Sequence, residues 1–172
     1  MAATPTTVDL IRHGQPLGGS RFRGRLDDPL SDAGWQDMRR ALGQGTRWTA
    51  VVSSPLLRCA DFARDHARRL GVPLELEPRF AELGFGDWEG CQHADLRASD
   101  GERLRAFWAD PEHNPPPGGE PLLQFRDRVQ AAWADLLAEH AGGHVLVVAH
   151  AGVIRILVMQ VLGMPLERYY RL

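Results

Sequence analysis

Residues 145–149, Val-Leu-Val-Val-Ala, are apolar at every position, with no polar residue alternating among them. A strand of that composition must be covered on both faces, which is the condition of a parallel sheet packed between helices. Related short runs occur at 8–11 and 50–53, with a weaker one at 72–76. Helical patterns lie between them. One spans 31–42 with Ser31 as its N-cap, one spans 55–70 behind a Ser54 cap with proline at its first position, and one spans 122–140 and stops at Gly142-Gly143. Strands alternating with helices predict an α/β sandwich. The stretch 84–121 fits this rhythm poorly. It holds Pro115-Pro116-Pro117-Gly118-Gly119 and only a short helical pattern at 102–109, so it reads as a lid-like excursion from one domain covering 1–172.

Composition narrows the function classes. With 172 residues and 44% hydrophobic content, the chain can bury one core and is short for two domains. A formal charge of -2 supplies no global basic field, so neither nucleic acid nor a membrane surface is an expected partner. Any bound anion has to be gripped locally. All 20 Lys+Arg residues are arginine, which excludes a Walker-type phosphate lysine and a Schiff-base lysine. A genome-wide arginine bias is the blander reading of this usage, set against selection for phosphate, which arginine's planar fork of donors suits well. Cys59 and Cys91 form no C-x-x-C, residues 1–7 carry no basic-then-apolar leader pattern, and 145–162 contains His150 and Arg155. A soluble cytoplasmic protein is expected. Nothing in the pattern sets an oligomeric state.

In open α/β sheets ligands collect at the carboxyl ends of strands. Arg12-His13-Gly14 follows the first apolar run, and His150-Ala151-Gly152 follows the last and leads into the helix holding Arg155. Glycines beside both histidines let backbone N–H groups face an anion. Arg58 falls in the first turn of the helix after Ser54-Pro55. The helix dipole opposes a cation there, so either a bound anion or plain solvent exposure resolves the conflict. Glu82 sits among aromatic and glycine residues that would raise its pKa and suit it to act as an acid, with Asp87 and Glu89 as rivals.

Taken in order, Arg12-His13-Gly14, Gly24-x-x-Asp27-x-Pro29-Leu30-Ser31-x-x-Gly34, Ser53-Ser54-Pro55-Leu56-x-Arg58, Glu82 ahead of Phe85-Gly86-x-Trp88-Glu89-Gly90, Gly118-Gly119-Glu120 and His150-Ala151-Gly152 resemble the histidine phosphatase, or phosphoglycerate mutase-like, superfamily. The resemblance spans nearly the whole chain. It implies a three-layer α/β sandwich with a mixed, mainly parallel sheet, and a metal-free, cofactor-free phosphomonoester hydrolase acting through a phosphohistidine. It makes His13 the nucleophile, Arg12 and Arg58 the phosphate clamp, His150 a second phosphate-binding group and Glu82 the proton donor. Gln15, Arg25 and Ala151 join the expected substrate contacts. The chain departs from the superfamily's commoner pattern with Gln15, Pro16 and Gly19 after the triplet, leaving Ser20, Arg21, Arg23 and Arg25 as replacements or as a solvated basic loop.

The expected chemistry is self-consistent. A neutral imidazole attacks a phosphate dianion without charge repulsion, and fixed guanidiniums neutralise the equatorial oxygens. His150, if protonated, would add a third cation. Shortness argues for hydrolysis over mutase action. The Gln15-Pro16 loop and the run from Arg23 to Leu30 are similar to alpha-ribazole phosphatases, with Phe85, Trp88, Phe107 and Trp108 read as a wall for an aromatic base or, for most of them, as ordinary core packing. Three competing readings are weaker. Cys91 and Arg97 have the C-x5-R spacing of cysteine phosphatases, but no glycines lie between them. His140 and His144 are separated by a helix-breaking Gly-Gly, which argues against a metal pair. A non-catalytic phospholigand binder would have lost one of the five catalytic positions.

Overall fold

The computed structural model describes residues 4–43 and 47–171, so the first three residues of the 1–7 stretch lie outside the described residues. Four strands, β1 (Thr7–Arg12), β2 (Ala50–Ser53), β3 (Leu74–Leu76) and β4 (His144–Ala149), form one sheet in the order β1-β4-β2-β3. Every pairing in it is parallel. Antiparallel pairing among the described residues is limited to two isolated bridges outside it, Pro16 to Leu30 and Arg21 to Gln92, so the sheet is parallel where a mixed one was expected. Helices α1 (Asp32–Leu42), α2 (Leu57–Leu70), α3 (His93–Ser99), α4 (Gly101–Ala109), α5 (Leu122–Glu139) and α6 (Ala151–Leu162) cover it, with a final 3-10 turn at Leu166–Arg171.

The unbroken apolar run of β4 has the cause expected of it. Val145, Val147 and Ala149 pack with Phe125, Val129 and Ala132 of α5 and Val153, Ile156 and Leu157 of α6. Leu146 and Val148 pack on the other face with Met38 of α1 and Phe62 and Ala63 of α2. Both faces of a central strand are therefore apolar, as burial between helices requires.

Local signals hold at some ends and fail at others. Ser31 caps α1 as expected, accepting from Gly34 N at 3.1 Å. The second helix begins at Leu57, later than its expected start. Ser54 Oγ accepts from Leu56 N (3.3 Å), outside the helix, and the carboxylate that accepts from Leu57 N at 2.6 Å belongs to Asp27 of a distant loop. The strand expected at 72–76 shortens to 74–76 after Pro73, whose carbonyl accepts from Val51 N.

The helix expected at 102–109 in the 84–121 stretch is present at Gly101–Ala109. The stretch holds a 3-10 turn at Gly86–Trp88, then α3 and α4, and its Trp88, Leu96, Leu104 and Phe107 join the core beside Phe125 and Tyr169. Glu89 clamps its start, accepting from the backbone N–H groups of Arg25, Leu26 and Phe85 at 2.9 Å each. Gly24, at φ +48°, is required there, because a Cβ would strike the Glu89 carboxylate and the Leu83 carbonyl.

Arg128 of α5 ties the loop carrying Glu82 to the helix layer. Its guanidinium donates to the carbonyls of Arg79, Ala81 and Glu82 and to both oxygens of Glu120. Replacing Arg128 with methionine keeps the stem's packing but strands these acceptors. Chemical denaturation is expected to show a loss of roughly 2–3 kcal/mol; an unchanged midpoint would mean that water replaces the guanidinium without cost.

Candidate active site

The parallel pairing of β1 with β4 sets Arg12 opposite Ala149, and His13 N donates to Ala149 O at 3.0 Å. The two histidines that follow these strands thereby stand side by side. Their rings meet edge to face, with centroids 5.2 Å apart and planes inclined by 64°. Arg12, His13, Arg58, Glu82 and Ala151 line one cavity of about 260 Å³.

His13 Nδ1 lies 2.8 Å from the Gly14 carbonyl. A carbonyl only accepts, so Nδ1 carries the proton and Nε2 keeps its lone pair. Burial, with Arg58 and Arg12 nearby, lowers the ring's pKa to about 4 against the opposing pull of the Gly14 bond. The imidazole is neutral at physiological pH. His150 is completely buried behind it, its Nε2 at 2.7 Å from Ser54 Oγ and 3.6 Å from Cys59 Sγ. Burial first, then Arg58 and His13, hold it well below the ordinary histidine range. As the site stands, His150 is neutral and does not line the cavity, so the expected third cation is absent from this state.

Arg58, 1% exposed, resolves its conflict with the helix dipole in a way the sequence did not suggest. Its terminal nitrogens donate to the carbonyls of Leu26 and Gly24 at 2.8 Å each. Its Nε is a buried donor with no partner among the described residues. An anion oxygen in the cavity would satisfy it.

Glu82 is partly buried at the cavity wall. Its two oxygens accept from Leu83 N at 3.0 Å and from Gly152 N at 3.2 Å. Burial raises its pKa, and these two N–H groups and the arginines oppose that only in part. Of the other two carboxylates considered, Glu89 is occupied by three backbone N–H groups, and Asp87 is exposed outside the cavity lining.

The remaining expected contacts divide. Ala151 lines the cavity at the head of α6. Gln15 lines an adjoining cleft that shares Arg12, His13 and Arg23 with that cavity, and its carbonyl accepts from Ser31. Arg25 lines neither cleft and instead lies 3.6 Å from Glu120. Arg21 and Arg23 do line the cavity, both held by Asp28 at 2.7 and 3.0 Å. Of the four aromatic candidates, Phe85 and Trp108 face the cavity, whereas Trp88 and Phe107 are core residues. Cys91 has its Sγ near the Asp87 carbonyl, with Arg97 on α3 and outside the cavity lining. His144 pairs with Asp9 at 2.9 Å, and His140 turns to Glu75 at 3.8 Å, so the two do not converge. Sequence reasoning missed Phe22, His93, Tyr169 and Tyr170 as lining residues. Arg155 also lines it and did carry a usable signal, lying four positions after Ala151 and so on the same helical face.

The Histidine phosphatase superfamily (branch 1) profile matches residues 8–172. The chain belongs to the histidine phosphatase superfamily. A bifunctional protein of Mycobacterium tuberculosis is 34% identical over 98% of this chain but only 48% of its own length, so the chain spans about half of that relative. An adenosylcobalamin/alpha-ribazole phosphatase of Escherichia coli is 32% identical, covering 92% of this chain and 80% of its own. A glucosyl-3-phosphoglycerate phosphatase of Mycolicibacterium vanbaalenii is 33% identical over 93% and 76%. Among solved structures, Bacillus stearothermophilus YhfR superposes with a TM-score of 0.88 at 28% identity, covering 96% of this chain and 84% of that one. The alpha-ribazole phosphatase of Shigella flexneri gives 0.82 at 30%, over 95% and 83%. This histidine phosphatase superfamily member has no described helix long and apolar enough to cross a membrane.

The depressed pKa of His13 has a measurable sign. Its Cε1–H resonance is expected to titrate near pH 4 and not near 6.5. Between those values the unfolded chain binds the extra proton and the folded one does not, so stability falls as pH drops from 6.5 toward 4. A midpoint near 6.5 by NMR would contradict the buried, arginine-flanked ring.

Proposed function

We propose that this chain hydrolyses phosphomonoesters of small metabolites through a phosphohistidine on His13. The observation that carries the reading is a lone pair on His13 Nε2, left by the Gly14 hydrogen bond, in a cavity shared with Arg12, Arg58 and a carboxyl raised in pKa by burial. Arg12 and the unpartnered Nε of Arg58 take the equatorial phosphoryl oxygens. Nε2 attacks phosphorus as the ester P–O bond breaks, and Glu82 delivers its proton to the departing alkoxide. The resulting carboxylate then takes a proton from water as that water attacks phospho-His13, which returns neutral imidazole and inorganic phosphate. Burial of His150 against the His13 ring keeps the nucleophile in place, and protonation of His150 would accompany arrival of the dianion. No step calls on a metal or cofactor, and no nucleic acid or membrane is needed as a partner. Two unpaired thiols, Cys59 and Cys91, suit a cytoplasmic setting.

For the physiological substrate we favour alpha-ribazole 5'-phosphate. Phe22, Phe85, Trp108 and Tyr170 line the cavity, and Trp108 is 40% exposed, where it can stack on an aromatic base. Arg21 and Arg23, the cations that could bind the carboxylate of a glyceric acid ester, are engaged by Asp28. A broad-specificity phosphatase is the second reading, supported by the wide aromatic lining.

Rapid alkaline quenching with 32P-labelled substrate is expected to place label on wild-type protein and none on His13→Ala; unlabelled wild type during turnover would end the phosphohistidine reading. Glu82→Gln is expected to lose roughly 10²-fold or more in kcat on an alkyl phosphate, and much less on p-nitrophenyl phosphate, whose leaving group needs no proton. Equal losses would remove Glu82 as the donor. Trp108→Ala is expected to raise KM for alpha-ribazole 5'-phosphate by about 2- to 10-fold, the equivalent of one stacked ring, and to leave simple sugar phosphates unaffected. Matching changes across that panel would favour the broad-specificity reading.

A further inference from the structure

The cavity is a hostile place for a neutral carboxyl. Arg12, Arg21, Arg23, Arg58 and Arg155 all line it with Glu82, and a guanidinium at contact distance favours the carboxylate form. Among the described residues, Arg12, Arg21, Arg23 and Arg58 form no ion pair with Glu82. Arg21 and Arg23 are held on Asp28, and Arg58 on the carbonyls of Leu26 and Gly24. Arg155 is restrained by the C-terminal 3-10 turn. Its guanidinium carbon lies 5.1 Å from the centroid of the Tyr169 ring and 5.4 Å from that of Tyr170, and it donates to the Tyr169 hydroxyl.

The same hydroxyl stands against the acid. A Cβ added to Gly152 would collide with Glu82 Oε1 and would come within 2.7 Å of Tyr169 Oη, so both oxygens crowd one face of that glycine. Gly152 N meanwhile donates to the other Glu82 oxygen. Tyr169 is 1% exposed, so its ring and hydroxyl occupy space from which water is excluded. We propose that Tyr169 is a positioning residue for the acid, its hydroxyl shielding the Glu82 carboxyl from water while engaging the neighbouring Arg155 guanidinium. This rests on the reading of Glu82 as proton donor. The other groups facing Glu82 are Arg12 and His13 after β1, Arg58 and Cys59 of α2, and Tyr170 beside Tyr169; Arg128 of α5 holds its carbonyl. These stay in place when only the Tyr169 hydroxyl is removed.

Tyr169→Phe keeps both rings and deletes that oxygen. Water and Arg155 then gain access to Glu82, and both favour the carboxylate. The alkaline limb of kcat for an alkyl phosphate is expected to move down by about one pH unit, a tenfold step in the protonated fraction. With p-nitrophenyl phosphate the rate is expected to stay within about twofold, because that leaving group does not depend on the acid. Superimposable alkyl-phosphate profiles for variant and wild type would overturn the proposal, as would equal losses on both esters. Arg155→Gln supplies a second measurement should Tyr169→Phe fold poorly: removing the cation is expected to move the limb upward, and a downward move or no move counts against the proposal. Glu82→Gln separates the two levels. If it shows the leaving-group-selective loss while the Tyr169 and Arg155 variants do not respond, the acid stands and its positioning by Tyr169 fails; if it shows no selectivity, the acid itself is wrong.

Discussion

The hydrogen bond from His13 N to Ala149 O continues the β1–β4 ladder one step past its last paired residues. That step decides where two imidazoles stand. Parallel strands end on the same side of a sheet, so the residues leaving β1 and β4 emerge together, and their rings meet at 5.2 Å. The apolar, doubly covered β4 supplies the rigidity on which this depends, because its register with β1 on one side and β2 on the other leaves no freedom to slip. Arg58 and Ser54 enter from the carboxyl end of β2 by the same logic, and Ser54 reaches His150 at 2.7 Å.

Around that frame several arginines share a cavity with a buried carboxyl, and most of them are restrained by other partners. Carbonyls restrain Arg58, Asp28 restrains Arg21 and Arg23, and aromatic rings with a hydroxyl restrain Arg155. Glu82 itself is held by two backbone N–H groups from different parts of the chain, Leu83 in its own loop and Gly152 at the head of α6. Backbone donors direct a carboxyl without contributing a full charge. Burial can therefore still raise its pKa, whereas a direct guanidinium partner would have lowered it.

The strands were legible because burial on two faces leaves a mark in every residue, and α1 was legible because its cap is local. The start of α2 was not. Its first N–H is satisfied by Asp27, thirty positions earlier, and no nearby pattern carries that information. The excursion fitted the alternation poorly because its core residues, Trp88, Leu96, Leu104 and Phe107, are too widely spaced for a periodic signal. Arg25 looked like a phosphate ligand by its place in a basic loop, yet Glu120, adjacent only in space, draws it away. Arg128 and Tyr169 left no local signal at all, since each acts on Glu82 or its loop from a remote helix or turn.

Residue types and their order sufficed to place Arg12, His13 and His150 at strand ends and to show the α/β alternation, because these depend on short-range chemistry: a strand end, a glycine, a run of apolar side chains. Only the folded chain decided which carboxylate stands at the cavity, that His150 lies behind His13 as a neutral ring, and which arginines are tied up elsewhere. Those outcomes are set by distance and desolvation between segments far apart in sequence, and neither quantity exists until the chain has closed on itself.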